Sequence, residues 1–394
     1  MNILVITDQF IVGGLETHLN TYYENLKGNN KFVFIFNKYV DNGYLKDAKI
    51  YCNQFHFSYN ATISDFCEDV KKIVDIIINE KIDIIHVHPF YCLFPAIFAA
   101  NISKKKIVFT CHGRGSITYY NGINDTLLYT FAIKEYISKI FCVSELYKEW
   151  LDNPNKNSSF LPNIVDEKQF PKHEIKLNKT WALVSRLDDD KIDEIIKFLL
   201  MLPSLDIKEI HIYGQGNMEK ELKVFVNKKH LKNKVFFKGY TNDLSKTLNG
   251  SYNGVIGQGR VAIESLTMNY PTILIGYNKI VGVIDDNKFD ILKKINFIPE
   301  GFEDIPVVKL QKEIKSAYDN TKKYQLRDEA IDFFGTKNFA VYLDILQNIK
   351  FKYSEVLNKY FNQMTNVKQD EMFYNSYNVF VILKKYIGSY TMNP

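Results

Sequence analysis

Short apolar runs of strand character recur along the chain, each followed by a longer helical pattern, and this alternation limits the fold more than any single motif does. The runs fall at residues 3–7, 32–36, 82–87, 107–110 and 140–143, and again at 181–185, 209–213, 235–238, 254–256 and 272–275. Continuous apolar strands separated by helix-length segments are the pattern of βα units in a parallel sheet covered on both faces. Two such series in 394 residues predict two doubly wound α/β domains. With 46% hydrophobic and 24% charged residues the chain can build both cores, which excludes a disordered or fibrous class.

Between the two series, residues 161–178 hold Pro162, Asn163, Pro171 and several charges with little periodicity, as a linker does. We therefore expect a Rossmann-like domain over 1–168, a second over 169–340, and a helical tail over 341–394 that packs across the domains. Open α/β sheets bind ligands outside the carboxyl ends of their strands, so the cleft between the domains is the expected site.

Several classes fall away. Lys and Arg number 50 against 45 acids, and a net charge of +5 over this length is too thin to argue for nucleic acid. Five cysteines, odd in number and without CxxC pairs, fit reduced thiols in a cytoplasmic protein. Residues 1–4 run straight into a strand pattern, so no signal peptide is expected. The longest uncharged apolar stretch, 89–100, falls short of the roughly 20 residues a spanning helix needs. Lys104, Lys105, Lys106 and the aromatic tail allow a peripheral contact with the inner face of the membrane, although short Lys runs are usually solvated. Nothing in the sequence sets the oligomeric state.

The chemistry-bearing residues gather where strands end. Gly13 and Gly14 open the helix after the first strand and leave room for backbone amides to approach an anion; a plain βα turn would look the same. His86 and His88 share one strand face at period two, and His112 ends a later strand before a Gly-Arg-Gly turn. A zinc site on His86 and His88 lacks a completing carboxylate or thiol. His112 suits a hydrogen bond to a sugar hydroxyl, or is a core histidine. Farther on, Arg186 ends a strand and Lys191 opens a helix, two cations suited to neutralising a diphosphate. The alternative is a surface ion pair with Asp188, Asp189 and Asp190, whose D-x-D pattern otherwise reads as a metal signature or as helix N-caps. Gly214, Gly216 and Gly239 follow strands as nucleotide-walling turns. A third glycine loop, Gly257-Gln258-Gly259, precedes Arg260 and Glu264, the latter a carboxylate able to accept both ribose hydroxyls or to cap its helix.

In this order the motifs resemble the GT-B glycosyltransferases, specifically the retaining family-four group. The parts are Gly13 to His18, Asp83 to His88, Thr110-Cys111-His112-Gly113, Val143-Ser144-Glu145, Leu161-Pro162-Asn163 with Asp166 and Phe170, Ser185-Arg186-Leu187 through Lys191, and Glu264. The resemblance implies that Gly14, Arg186 and Lys191 hold the donor diphosphate, that Glu264 binds ribose, and that His112 lies beside the transferred sugar. It implies no metal and no cofactor beyond the nucleotide sugar, with retention by front-face attack rather than a protein nucleophile. Arg186, Lys191 and His112 are thus the expected catalytic residues. Gly13, Gly14, Gly214, Gly216, Gly239, Gly257, Gln258, Gly259, Arg260 and Glu264 are expected on the donor, most often a UDP-sugar. Glu16, His18, His88 and Arg114 are expected on the side of a glycan, lipid-linked or protein acceptor. The sequence departs from the family at Ile256, where the first of two glutamates eight residues apart would fall, while Arg260 adds a cation. A non-catalytic GT-B subunit that binds a partner transferase or an acceptor is the competing reading.

Overall fold

The computed structural model describes residues 1–11, 13–58, 61–89, 91–113, 116, 136–152 and 157–366. The chain divides into two compact units, Met1–Leu161 with Phe339–Pro394, and Pro162–Asn338. Each is an α/β unit around its own sheet, as the alternating pattern predicts.

The first sheet has seven strands: β1 (Asn2–Phe10), β2 (Lys31–Tyr39), β3 (Lys49–Cys52), β4 (Ile84–His88), β5 (Lys106–Cys111), β6 (Lys139–Cys142) and β7 (Ser158–Phe160). Their order is β3-β2-β1-β4-β5-β6-β7, all parallel. Ile3 lies opposite Phe32 on one side and Ile84 on the other, and every residue of β4 is buried. A strand covered on both faces needs such an unbroken apolar run. The order reverses between β1 and β4, which makes the carboxyl ends of these two strands the topological switch point. Helix Ile63–Asn79 starts at a capping box in which the Thr62 hydroxyl accepts from the Asp65 amide and the Asp65 carboxylate accepts from the Thr62 amide.

The second sheet holds β8 (Thr180–Val184), β9 (Glu209–Tyr213), β10 (Val235–Gly239), β11 (Gly254–Gly257), β12 (Thr272–Gly276) and β13 (Lys279–Val283) in the order β10-β9-β8-β11-β12-β13. All pairs are parallel except β12 with β13. Here the switch point lies between β8 and β11.

Three strands escape the sequence pattern. β3 and β7 are short edge strands with half-exposed residues, so no apolar run marks them. β13 is antiparallel because Tyr277 and Asn278, with φ of 50° and 56°, make a two-residue reversal of the hairpin kind. The tail was expected to be helical over 341–394, of which residues 341–366 are described. Its described helices, Asn338–Asn348 and Glu355–Asn366, pack on the first unit: Asn101 donates to the Ser354 carbonyl and the Asn358 side chain at 2.8 Å, and accepts from the Ser354 amide. Two of the three lysines considered for a membrane surface face this tail, Lys104 over the Tyr353 ring at 5.9 Å and Lys106 donating to the Gln347 carbonyl. No described helix is long and apolar enough to cross a membrane.

Candidate functional site

In the second unit, residues following β8 and β11 converge at the switch point. Arg186, two residues past β8, donates from Nη1 to Asp188 Oδ2 and from Nη2 to Asp190 Oδ2, both at 2.8 Å. Its side chain is 54% exposed, and exposed ion pairs of this kind contribute only about 0.2–1 kcal/mol. Lys191 is held differently. It caps helix Ile192–Met201, is 16% exposed, and carries its Nζ 5.0 Å from the centre of the Tyr277 ring and 3.6 Å from Asp190. Asp188 and Asp189 also accept from the backbone amide and side chain of Asn217, so the whole D-x-D run is engaged within the protein.

The glycines beneath these cations have a packing role that the sequence reading did not assign. A Cβ on Gly214 would lie 1.8 Å from the Ser185 carbonyl oxygen, and one on Gly216 would lie 2.3 Å from the Leu187 backbone. The loops after β8 and β9 therefore pass in backbone contact, tied by the Leu187 amide to the Gln215 carbonyl at 3.0 Å and the Met218 amide to the Leu187 carbonyl at 2.8 Å. These glycines fix the loop that presents Arg186. Gly239 has a φ of 79° and open space where a Cβ would stand, and its carbonyl accepts from the Gly214 amide.

Past β11 the expectation changes in three respects. The amide of Gly259, a residue expected on the donor, donates to the Phe297 carbonyl at 3.1 Å. Arg260, expected beside the loop as a free-standing cation, is buried; its Nε donates to Glu264 Oε1 at 2.7 Å and its Nη1 to the Ile164 carbonyl at 3.2 Å. An arginine four residues before a glutamate on one helix meets it on the same face, and burial tightens the pair. Burial pushes the Glu264 carboxyl up, and the Arg260 charge opposes this. Ile256 is fully buried within β11, opposite Leu183 and Ile273 in the apolar core. It does not face the loop, so a glutamate at 256 would be a core charge rather than a sugar contact. Gln258 packs its amide against Gly276, where a Cβ would stand 1.8 Å from Gln258 Oε1, and Gly257 lies against Val261. Sequence reasoning also passed over Glu194, buried one turn after Lys191 with its carboxyl pushed up by burial; its place on the inner helical face was the available signal.

The first unit gathers its polar residues at the β1/β4 switch point. Gly13 has a φ of 154° and starts helix Gly14–Leu26; Glu16 turns back so that Oε1 accepts from the Ile11 amide at 2.9 Å. Glu16 thus closes its own loop. His18, on the next turn, is buried with His88, while His112 is half-buried. His88 Nδ1 and His112 Nε2 share a hydrogen bond of 2.8 Å, and the His112 amide donates to Ser116 Oγ. His86 stands behind, hydrogen-bonded through Nδ1 to the Tyr342 hydroxyl at 2.9 Å and through Nε2 to Thr110 Oγ1 at 2.8 Å. Burial pushes His86 down to about 3 and His88 well below the usual imidazole range, with neighbouring imidazoles adding to the effect. Tyr342, distant in sequence, could be found only through the fold. Arg114 lies outside the described residues.

Residues 12–169 match the family model of Glycosyltransferase Family 4. The match spans most of the first unit, and the two sheets together have the GT-B fold. Among solved structures, HepE of Anabaena, in complex with UDP and glucose, is 15% identical with a TM-score of 0.65 and covers 88% of this chain and 100% of its own. Sucrose-phosphate synthase of Thermosynechococcus elongatus is 13% identical, TM-score 0.67, covering 88% of this chain and 98% of its own. A mutant of S. aureus TarM, in complex with fondaparinux, α-GlcNAc-glycerol and UDP, is 15% identical, TM-score 0.64, covering 87% and 99%. At these identities the likeness is one of fold. No curated relative matches the sequence.

Proposed function

We propose that this chain is a retaining glycosyltransferase that moves a sugar from a UDP-sugar to a glycan, glycolipid or glycoprotein precursor of the cell surface. The observation that carries the reading is the pair of cations at the β8/β11 switch point, Arg186 on a loop locked by Gly214 and Gly216, and Lys191 at a helix start. A diphosphate offers both cations more charge than the exposed carboxylates that Arg186 now holds, and each can neutralise the oxygen released when the sugar bond breaks. On this reading the two cations serve in place of a metal at the diphosphate. Glu264, oriented by Arg260, takes the ribose hydroxyls, and the half-buried His112 meets the transferred sugar. UDP as the nucleotide is supported by the complexes of HepE and TarM. The five cysteines, none joined in a disulfide, fit a reducing compartment.

A non-catalytic binding role is favoured by one observation, the core position of Ile256 where the family would place a glutamate. Titration calorimetry with UDP, GDP and CDP, followed by a mass-shift screen of UDP-sugars on acceptor panels, tests both. UDP binding with turnover supports the enzyme. Binding without turnover under any donor supports the second role, and binding of none of the three nucleotides defeats the donor-site assignment.

A further inference from the structure

Three imidazoles converge at the carboxyl edge of the first sheet from three different elements. His18 comes from helix Gly14–Leu26, His88 ends β4, and His112 follows β5. The His18 ring stands edge-on to His112 with centroids 4.9 Å apart and lies 5.4 Å from His88. One ring nitrogen from each lies within 4.8 Å of the other two.

We propose that His18, His88 and His112 form a binding site for a divalent transition-metal ion of the zinc type. An all-imidazole set selects zinc, cobalt, nickel or copper over the oxygen-seeking magnesium, calcium and manganese. Nitrogens bound tetrahedrally at about 2.0–2.1 Å from zinc sit about 3.4 Å from one another. The His88–His112 pair, now at 2.8 Å, opens by about half an ångström and the wider separations close. His86 is not a ligand, because both its nitrogens are engaged by Tyr342 and Thr110; its ring lies 4.3 Å from that of His88 and backs it. The chemistry thus replaces the His86–His88 pairing suggested by sequence spacing with a set that only the fold assembles. Three protein ligands leave a fourth position, reached from the half-buried His112 side. An ion held there occupies the imidazole assigned above to the transferred sugar, a consequence that rests on the transferase reading and is read separately, as loss of turnover on adding Zn²⁺.

The test uses Co²⁺ as the probe on tag-free, metal-free, full-length protein. The expected result is one equivalent bound with the intense visible bands of a tetrahedral ion, displaced by Zn²⁺. His18→Gln, His88→Gln and His112→Gln should each weaken Co²⁺ by at least about tenfold, while His230→Gln, on the exposed surface, leaves it unchanged. Variants at the two buried histidines can fail to fold. His112→Gln and zinc-edge X-ray absorption of the wild type, with an expected shell of three imidazole nitrogens at about 2.0–2.1 Å, make the same test without them. No Co²⁺ bound at millimolar ion, an octahedral spectrum, affinity unchanged in His112→Gln, or affinity lost in His230→Gln would each overturn the site.

Discussion

Arg186 and Lys191 carry the same charge at the same switch point but are held by different physics. Arg186 is mostly exposed and fixed by two surface aspartates, whereas Lys191 is largely covered and lies against Tyr277. If both neutralise a leaving diphosphate, Arg186→Ala and Lys191→Ala each lower turnover by roughly two to three orders of magnitude. The Arg186 change should leave the melting temperature nearly unchanged, since exposed pairs add little. Initial rates for both variants at wild-type levels would end the clamp assignment. Glu264 is a harder case, because its carboxylate is also the partner of a buried arginine. Glu264→Gln should destabilise the chain by about 3–5 kcal/mol by leaving Arg260 uncompensated, and weaken UDP by about 1–3 kcal/mol. The double variant Arg260→Leu/Glu264→Leu removes both charges and should recover much of the stability without recovering affinity. Calorimetric titration below the melting temperature separates the two effects; UDP affinity restored in the double variant would show that Glu264 acts on the fold and not on ribose.

At the scale of elements, Glu80 ties the end of helix Ile63–Asn79 to the edge of the first sheet. Its carboxylate accepts from Lys31 Nζ at 2.9 Å, from Lys49 Nζ and from the Tyr51 hydroxyl at 2.7 Å. These hydrogen bonds, led by Lys49, hold its carboxyl at about 2, below the ordinary value of 4.5. A carboxyl depressed in the folded state contributes stability that is fully present above about 4.5 and lost as pH falls toward 2. With both lysines about half exposed, roughly 1–2 kcal/mol is the expected size. Glu80→Gln should lower stability at pH 7 by that amount and flatten the acid limb of the denaturation profile; an unchanged acid limb would locate acid sensitivity elsewhere. The elements themselves were unevenly legible. β1, β4, β8 and β11 are near-continuous apolar runs because both faces are covered, and they also bear the switch points. β3 and β7 were not legible, since half-exposed edge strands carry no such pattern, and β13, though mostly buried, was not separated from β12 because only the two-residue turn at Tyr277 and Asn278 lies between them.

At the scale of the molecule, the chain leaves its first unit after Leu161 and rejoins it at Phe339. Tyr342 is the buried anchor of that return, hydrogen-bonded to His86 and packed edge-on against Tyr22 with ring centroids 4.9 Å apart. Tyr342→Ala removes a fully buried ring and leaves His86 short of a partner, so a loss of about 3–5 kcal/mol is expected. Differential scanning calorimetry should show that loss in the unfolding of the first unit, with the transition of the second unit, built on its own apolar cluster, unmoved. An equal shift in both transitions would mean that the two units unfold as one.

By itself, the sequence determined the class of fold and the strand ends where chemistry gathers, because hydrophobic period and glycine placement are local properties of the chain. Arg186, Lys191 and Gly13 stand at such ends for reasons readable within a few residues. Only the tertiary structure decided which side chains meet. Ile256 reads as a vacancy in a motif until β11 places it in the core, and Arg260 reads as a free cation until its helix turns it onto Glu264. His18, His88 and His112 are separated by many residues and become neighbours only at the edge of the parallel sheet. Contacts of that kind depend on register and strand order, which a parallel sheet sets through long crossover connections rather than through adjacent residues.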